Sequence, residues 1–218
     1  MKYEDSHEWG EYCRLMKERP EAFRNTGNIE IITDVAVVSD FVRKTGKKIG
    51  VIYWSEYHIW LVDLVRDQTG RVYFYERLLP AVEYGAAVII PRYEDKNVLL
   101  TQYRHALRDY QCAFPRGFGE YGISPEENAM KEISEEIGAE TFFIKRLGRV
   151  VPDSGCSGTG ADVYVCDISK PEMKEGYEGI QKMHLLNDNE LKQWIATGRI
   201  TDGFSLAAWA LLEESRRG

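Results

Sequence analysis

Hydrophobic residues follow two different periods along the N-terminal part of the chain. Apolar residues at helical spacing predict one helix over residues 7–24 and a second over residues 34–44. Between residues 50 and 80, runs rich in β-branched and aromatic residues predict three strands, with a hairpin turn at residues 67–70. We therefore expect residues 1–82 to form a small β-rich N-terminal domain.

The remainder of the chain alternates strands and helices. Apolar runs predict strands at residues 86–91, 97–103, 142–151 and 161–168, and helical spacing predicts helices at residues 125–137, 188–197 and from residue 203 onward. Strands, then an inserted helix, then closing helices are typical of an α+β or α/β sandwich. We expect this second domain to cover residues 83–218.

Composition and charge narrow the classes of protein. Hydrophobic residues make up 44% of the chain and charged residues 29%, so a sizeable core can form. The net charge of −7 argues against a general nucleic-acid binder. The sequence contains neither a signal peptide nor an apolar run of the ~20 residues that a membrane span needs. Four cysteines without a C-x-x-C pair indicate reduced thiols in a cytoplasmic protein.

The helix predicted at residues 125–137 has unusually clear ends. Ser124 can cap it, Pro125 suits the first helical position, and Glu127 completes a capping box. Gly138 follows the last turn as a C-terminal stop. At about 100° per residue, a regular α-helix would place Glu132, Glu135 and Glu136 along one edge.

Three adjacent carboxylates repel one another. At a separation of ~5–6 Å, each pair costs about 3 kcal/mol at an effective dielectric constant near 20. Either the acids take up protons or a hard cation lies between them, and oxygen ligands favour Mg²⁺, Mn²⁺ or Ca²⁺ over zinc. A solvated acidic helix face is the alternative, because such faces are common on protein surfaces.

This segment resembles the Nudix box, which reads Gly, five residues, Glu, seven residues, then Arg-Glu-aliphatic-x-Glu-Glu-x-Gly-aliphatic. The positions in register are Gly117, Glu132, Ile133, Glu135, Glu136, Gly138 and Ala139. The sequence departs from the box at Ile123, where the family has Glu, and at Lys131, where it has Arg. Residues 100–104, 114–118 and 200–208 are similar to segments of the ADP-ribose pyrophosphatase branch of that family.

The resemblance implies a Nudix α/β/α sandwich with a mixed sheet, preceded by an N-terminal domain that often builds a homodimer. It also implies that Glu132, Glu135, Glu136 and the backbone carbonyl of Arg116 bind Mg²⁺ or Mn²⁺. Arg104 would bind phosphate, where a planar guanidinium offers two parallel donors, and we add the Arg116 side chain as a second substrate-binding group.

A catalytic base would come from a mobile acidic loop outside the box in many members of the family. Glu178 and Glu175 lie in the corresponding interval and are the first candidates, with Glu135 of the box as the third. The glycine-rich stretch 154–160 is a further candidate for phosphate contact, through backbone N–H groups at Gly158 and Gly160.

The implied reaction is hydrolysis of the pyrophosphate bond of a nucleoside diphosphate sugar, with ADP-ribose or a related ADP-sugar as the first candidate. A UDP-sugar or a dinucleoside polyphosphate is a second possibility. In either case, Tyr53, Trp54 or Trp60 would be available to stack on the base, although packing is the commoner role of strand aromatics.

A different class remains open, namely a Nudix fold kept as a ligand-binding or regulatory module with little catalysis. Ile123 and Lys131 favour it, because a Glu–Arg pair at these positions could support a metal-binding glutamate and lysine cannot make the bidentate contact of arginine.

Overall fold

The computed structural model describes residues 3–173 and 177–217. The chain divides into two compact units, the first formed by Met1–Ala81 with Asp153–Thr159 and the second by Val82–Pro152 with Gly160–Gly218. The hydrophobic pattern gives no sign that a short distant segment joins the first unit. No helix in the described ranges is long and apolar enough to cross a membrane.

The first unit contains two helices and a four-stranded antiparallel sheet in which β3 pairs with each of the other strands. The elements are α1 (His7–Glu18), β1 (Ile29–Ile31), α2 (Val35–Thr45), β2 (Gly50–Trp54), β3 (His58–Asp67) and β4 (Val72–Pro80). Helix α1 is shorter than predicted, because Pro20 begins a separate 3₁₀ turn. The predicted hairpin turn is confirmed, with Asp67 accepting hydrogen bonds from the N–H groups of Thr69 and Arg71.

A buried ion pair lies between the helices and the sheet of this unit. Asp63 is only 1% exposed, and Arg77 donates to both of its carboxylate oxygens, with an Nη2–Oδ1 distance of 3.1 Å. The Tyr12 hydroxyl donates to the same carboxylate. Arg77 also donates to the carbonyl of Ala22 at 2.8 Å, so both charges have several partners.

The aromatic residues proposed for base stacking all lie in the first unit and have different surroundings. The guanidinium of Arg14 covers the ring of Trp54 at 4.4 Å. Tyr53 and Trp60 are opposite each other on adjacent strands, and both are exposed, Tyr53 by 64%. Stacking on a base stays a prediction for Tyr53, Trp54 and Trp60.

The segment Asp153–Thr159 pairs with β4. The N–H of Leu78 donates to the carbonyl of Cys156 at 2.8 Å, and the carbonyl of Leu78 accepts from the N–H of Gly158 at 2.9 Å. A Cβ at Gly158 would lie 2.7 Å from the side chain of Leu79. Phosphate binding by the N–H of Gly158 is therefore a wrong prediction, since that group already has a partner.

The second unit is a seven-stranded mixed sheet between two layers of helix. The elements are β5 (Ala87–Tyr93), β6 (Lys96–Arg104), β7 (Asp109–Ala113), β8 (Arg116–Gly117), α3 (Pro125–Glu132), β9 (Thr141–Val150), β10 (Ala161–Ile168), β11 (Ile180–Leu186), α4 (Asp188–Ala196) and α5 (Gly203–Ser215). The central path of the sheet runs β11-β6-β5-β10-β9, β7 pairs with β6, and β8 pairs with β5. Among the described strands of this sheet, only β5 and β10 pair in parallel.

Alternate residues of β5 face the two helical layers of this unit. Ala87 and Ile89 pack in a core with α3, whereas Val88 and Ile90 pack in a core with α4 and α5. Because both faces of the sheet are covered, the strand is apolar along its length rather than alternating. The predicted α/β/α sandwich with a mixed sheet is confirmed.

Candidate active site

The acidic helix begins as its sequence predicts. The Ser124 hydroxyl accepts from the N–H of Glu127 at 3.2 Å, and the Glu127 carboxylate accepts from the N–H of Ser124 at 2.8 Å. Gly138 ends the helix in the left-handed region at φ +67°, where an added Cβ would lie 2.5 Å from the carbonyl oxygen of Glu172. The capping box and the C-terminal stop are both confirmed.

The last turn of this helix is wider than predicted. Residues 125–132 form the α-helix α3, but Ile133–Ile137 form a π-helical turn. The prediction that Glu132, Glu135 and Glu136 share one edge of a regular α-helix is therefore wrong, because the helix is no longer α-helical after Glu132. Glu136 is only 2% exposed, whereas the Glu135 side chain is 39% exposed, so the glutamates do not share one environment. Single π turns inside α-helices occur frequently at functional sites.

Glu132 lies directly against strand β8. A Cβ at Gly117 would be 1.7 Å from Oε1 of Glu132, so only glycine leaves room for this carboxyl. Burial raises the pKa of Glu132 to about 7, and the charges of Glu178 and Glu135 add to the shift. Burial likewise raises the pKa of Glu136 to about 8, with Glu132 and Glu178 adding to it. Both carboxyls are therefore costly to ionise when no cation is bound.

The two buried carboxyls have the chemistry of a divalent-cation site. Oε2 of Glu136 is buried and has no hydrogen-bond partner among the described residues, which is unusual for a carboxylate oxygen inside a protein. Carboxylate oxygens are the ligands that Mg²⁺ prefers. Within residues 3–173 and 177–217, however, no three His, Cys, Asp or Glu side chains are grouped to hold a metal ion. The full set of Glu132, Glu135, Glu136 and the Arg116 carbonyl stays a prediction.

The raised pKa values predict how stability changes with pH in the absence of metal ions. The folded protein holds protons on Glu132 and Glu136 that the unfolded chain releases near pH 4.5. Stability from this source is therefore present below about pH 4.5 and is lost as pH rises through about 7 and 8. We expect the free energy of unfolding in EDTA to fall over this window, and thermal denaturation at several pH values will measure it. An equal slope in the double variant E132Q/E136Q would contradict this origin.

Two arginines lie beside the acidic residues. Arg104 ends β6, and Arg116 lies in β8. Burial lowers the pKa of Arg104, and the neighbouring charge of Arg116 lowers it further. The Nε group of Arg104 is buried and has no hydrogen-bond partner in the described structure. Two guanidinium groups within electrostatic reach of each other, one of them with an unused donor, fit an anionic ligand such as a phosphate.

Glu178 lies in a 3₁₀ turn directly before β11. Its backbone is in the left-handed region at φ 46° and ψ 29°, and its carbonyl accepts a hydrogen bond from Nε2 of Gln102 at 2.8 Å. The charge of Glu178 helps to raise the pKa values of Glu132 and Glu136, so its carboxylate is within electrostatic reach of both. Glu175, the other loop candidate, lies outside the described residues.

Lys131 has a partner that the sequence reading missed. It forms an ion pair with Glu120, three residues before Ile123, and its Nζ lies 3.9 Å from Glu135. Both side chains of the Lys131–Glu120 pair are largely solvated, so the pair adds no more than about 1 kcal/mol to stability. An acidic residue therefore pairs with Lys131, but it lies at position 120 rather than 123.

Asn128 and Asp202 also have structural roles that the sequence reading missed. Asn128 is fully buried, and its Nδ2 donates to the carbonyls of Gly85 at 2.8 Å and Phe118 at 2.7 Å, which fixes the loop after β8. Asp202 forms an ion pair with Arg116 at 2.7 Å. The sequence does contain a sign of the role of Asn128, because a polar residue next to the apolar residues of a predicted helix indicates a buried hydrogen bond.

Comparison with known proteins gives one family and several relatives. A NUDIX domain profile matches residues 83–197. The chain is 27% identical over 141 residues to the ADP-sugar pyrophosphatase of Mus musculus, covering 57% of this chain and 65% of that protein. It is 30% identical over 132 residues to the methanol dehydrogenase activator of Bacillus methanolicus, covering 59% and 71%. It is 30% identical over 107 residues to the ADP compounds hydrolase NudE of Escherichia coli K12, covering 48% and 55%.

The match spans less than two thirds of the length of the mouse and Escherichia coli proteins. Among solved structures, a crystal structure of an ADP compounds hydrolase superposes with a TM-score of 0.68, covering 78% of this chain and 92% of that chain. The sequence identity in that superposition is 17%, so the likeness is one of fold.

Proposed function

This chain belongs to the NUDIX domain family, whose profile covers more than half of it, and we propose that it hydrolyses the pyrophosphate bond of a nucleoside diphosphate sugar with a divalent cation. The observation that carries the proposal is the buried Oε2 of Glu136, which has no partner in the part of the chain that the structure describes and whose carboxyl is within electrostatic reach of Glu132, Arg104 and Arg116. Such a site places oxygen ligands for a cation beside donors for phosphate. The names of the mouse and Escherichia coli relatives favour an ADP compound, with ADP-ribose first.

The acidic residues of the site would bind the metal ion in this reaction. Glu132 and Glu136, with Glu135 and the carbonyl of Arg116 as further ligands, would hold Mg²⁺ or Mn²⁺, which supplies charge neutralisation at the pyrophosphate.

The arginines and the loop glutamate act on the substrate and on water. Arg104 and Arg116 donate N–H groups to phosphate oxygens and thereby orient the anhydride bond. Glu178 accepts the proton of the attacking water, with Glu175 and Glu135 as the other candidate bases. The hydrogen bond from Gln102 to the carbonyl of Glu178 fixes the backbone from which this carboxylate projects.

We also propose that the protein acts as a homodimer in the cytoplasm and binds neither nucleic acid nor membranes. Tyr53, Trp60 and Phe74 are exposed on the sheet of the first unit, and exposed aromatic residues of this kind are enriched in protein interfaces.

A panel of nucleoside diphosphate derivatives with Mg²⁺ or Mn²⁺, scored by released monophosphate, tests the proposed reaction. We expect ADP-ribose to give AMP and ribose 5-phosphate, with little product in EDTA, because charge neutralisation at the anhydride then fails. Faster turnover of a UDP-sugar or a dinucleoside polyphosphate would redirect the substrate assignment.

The variant Ile123→Glu in the same panel addresses the altered box. If both the wild type and Ile123→Glu bind ADP-ribose but release no AMP, the protein is a ligand-binding module and not an enzyme. We expect turnover in the wild type, because Lys131 already has an acidic partner in Glu120.

A further inference from the structure

Asp202 is the residue that joins the closing helix to the arginine pair. We propose that Asp202 is a positioning residue that orients Arg116 beside Arg104, so that the two guanidinium groups bind one anion together. That the anion is a diphosphate rests on the proposed function, whereas the coupling between Asp202 and Arg116 does not.

The carboxylate of Asp202 uses its two oxygens for two different purposes. Oδ2 accepts from the N–H of Ser205 at 2.9 Å and from its hydroxyl at 2.8 Å, which caps helix α5. Oδ1 accepts from Nη1 of Arg116 at 2.7 Å. Asp202 is 6% exposed, so water does not compete strongly for either oxygen.

Asp202 is itself held in place through Ser205 and the backbone of Phe114. The Ser205 hydroxyl that donates to Asp202 also accepts from the backbone N–H of Phe114 at 2.9 Å. Phe114 lies two residues before Arg116 in the chain. The cap of α5 and the short segment that leads into β8 are thus connected by consecutive hydrogen bonds, which leaves the carboxylate little freedom.

Arg116 is restrained on a second side by an aromatic ring. Its guanidinium carbon lies 5.0 Å from the ring centroid of Phe204, the second residue of α5. A guanidinium held by a carboxylate at one nitrogen and by a ring against its face has few orientations left. Its remaining N–H groups can therefore be directed at a ligand without a large loss of side-chain entropy.

Arg104 supplies the reason to expect a shared anion. Burial lowers its pKa, Arg116 lowers it further, and the charges of Asp202, Glu136 and Glu178 partly offset both effects. The Nε of Arg104 has no protein partner among the described residues although it is buried. This buried and unused donor is available to an anion that also contacts Arg116.

A double-mutant cycle measured by calorimetric titration of ADP in EDTA tests this role. Asparagine at position 202 can still cap α5, but its amide NH₂ cannot accept from Arg116. We expect Asp202→Asn to weaken ADP binding about tenfold. We expect the double variant D202N/R116M to bind no more weakly than R116M, because the two residues act through one contact.

The direction in which ADP affinity changes in Asp202→Asn distinguishes a positioning role from a purely electrostatic one. Removing the negative charge of Asp202 would by itself strengthen the binding of an anion, so weaker binding reports lost orientation. Asp188→Asn is the matched control, because Asp188 also begins a helix and pairs with Arg216 at 2.7 Å. Its ADP affinity should equal that of the wild type.

Three results would overturn the proposal: unchanged or tighter ADP binding in D202N, additive losses in the double variant, or no ADP binding by the wild type. A wild type that shows the coupling but hydrolyses no member of the nucleotide panel would instead remove the proposed function and leave the positioning role intact. Thermal unfolding of each variant shows whether it is folded, and Ser205→Ala, which weakens the support of Asp202, should reproduce the loss of affinity to a lesser degree.

Discussion

Replacing Glu136 by glutamine is expected to reduce ADP-ribose hydrolysis about 10³-fold, since the charge stabilisation of a bound cation is worth several kcal/mol. Glutamine has nearly the same shape, but it lacks the negative charge that a divalent ion requires. The carboxyl is buried, and its Oε2 has no partner within residues 3–173 and 177–217, so its ionised form depends on a cation. Initial rates at saturating Mg²⁺ for wild type and variant measure the effect.

The stability of E136Q distinguishes lost chemistry from a lost fold. Burial raises the pKa of Glu136 to about 8, so at pH 8 without metal ions the variant should be at least as stable as the wild type. Glu126→Gln, an exposed position in the first turn of α3, is the matched control and should keep the wild-type rate. A rate in E136Q within tenfold of the wild type would remove Glu136 from the metal-binding set.

Replacing Arg77 by methionine is expected to lower the free energy of unfolding of the first unit by about 3–5 kcal/mol. The change leaves the carboxylate of Asp63 buried with one donor, Tyr12, and it deprives the carbonyl of Ala22 of a charged partner. It also removes the guanidinium that lies 5.2 Å from the ring of Phe23. Denaturant unfolding at pH 7 measures the loss.

A neighbouring ion pair provides the comparison for Arg77→Met. Arg66 pairs with Glu30 at 2.9 Å on the same sheet, but both side chains are exposed. Arg66→Met should therefore change stability by less than about 1 kcal/mol. The double variant D63N/R77M should recover part of the loss, because it leaves no buried charge without a partner. A loss below 1 kcal/mol in R77M would mean that solvent reaches Asp63.

The ends of the acidic helix could be predicted from sequence because capping is local. Ser124, Glu127 and Gly138 satisfy backbone groups within a few residues of themselves, so their identities suffice. The π turn could not be predicted in this way. It widens the helix at Ile133–Ile137, and both Ile133 and Ile137 are fully buried in the core below the sheet. Only the packing of that core shows which glutamate is buried and which is exposed.

Some strands, and contacts between residues far apart in the chain, could not be predicted from the sequence either. β7 and β8 are short, and β11 does not alternate polar with apolar residues, so none has a clear period of two. Asp202 was recognisable as the residue before a helix, but its second oxygen binds Arg116, 86 residues earlier in the chain. Because capping alone explains an aspartate at position 202, the sequence gives no sign that Asp202 also binds Arg116.

The pairing of Asp153–Thr159 with β4 has a consequence for how the protein is synthesised and cut. A fragment ending at Ala81 would lack the partners of the Leu78 N–H and C=O groups, and the hydroxyl of Tyr75 would lose the carbonyl of Gly155. An unpaired strand edge of this kind invites association with other chains. The first unit can therefore be completed only after Thr159 has been synthesised and has left the ribosome.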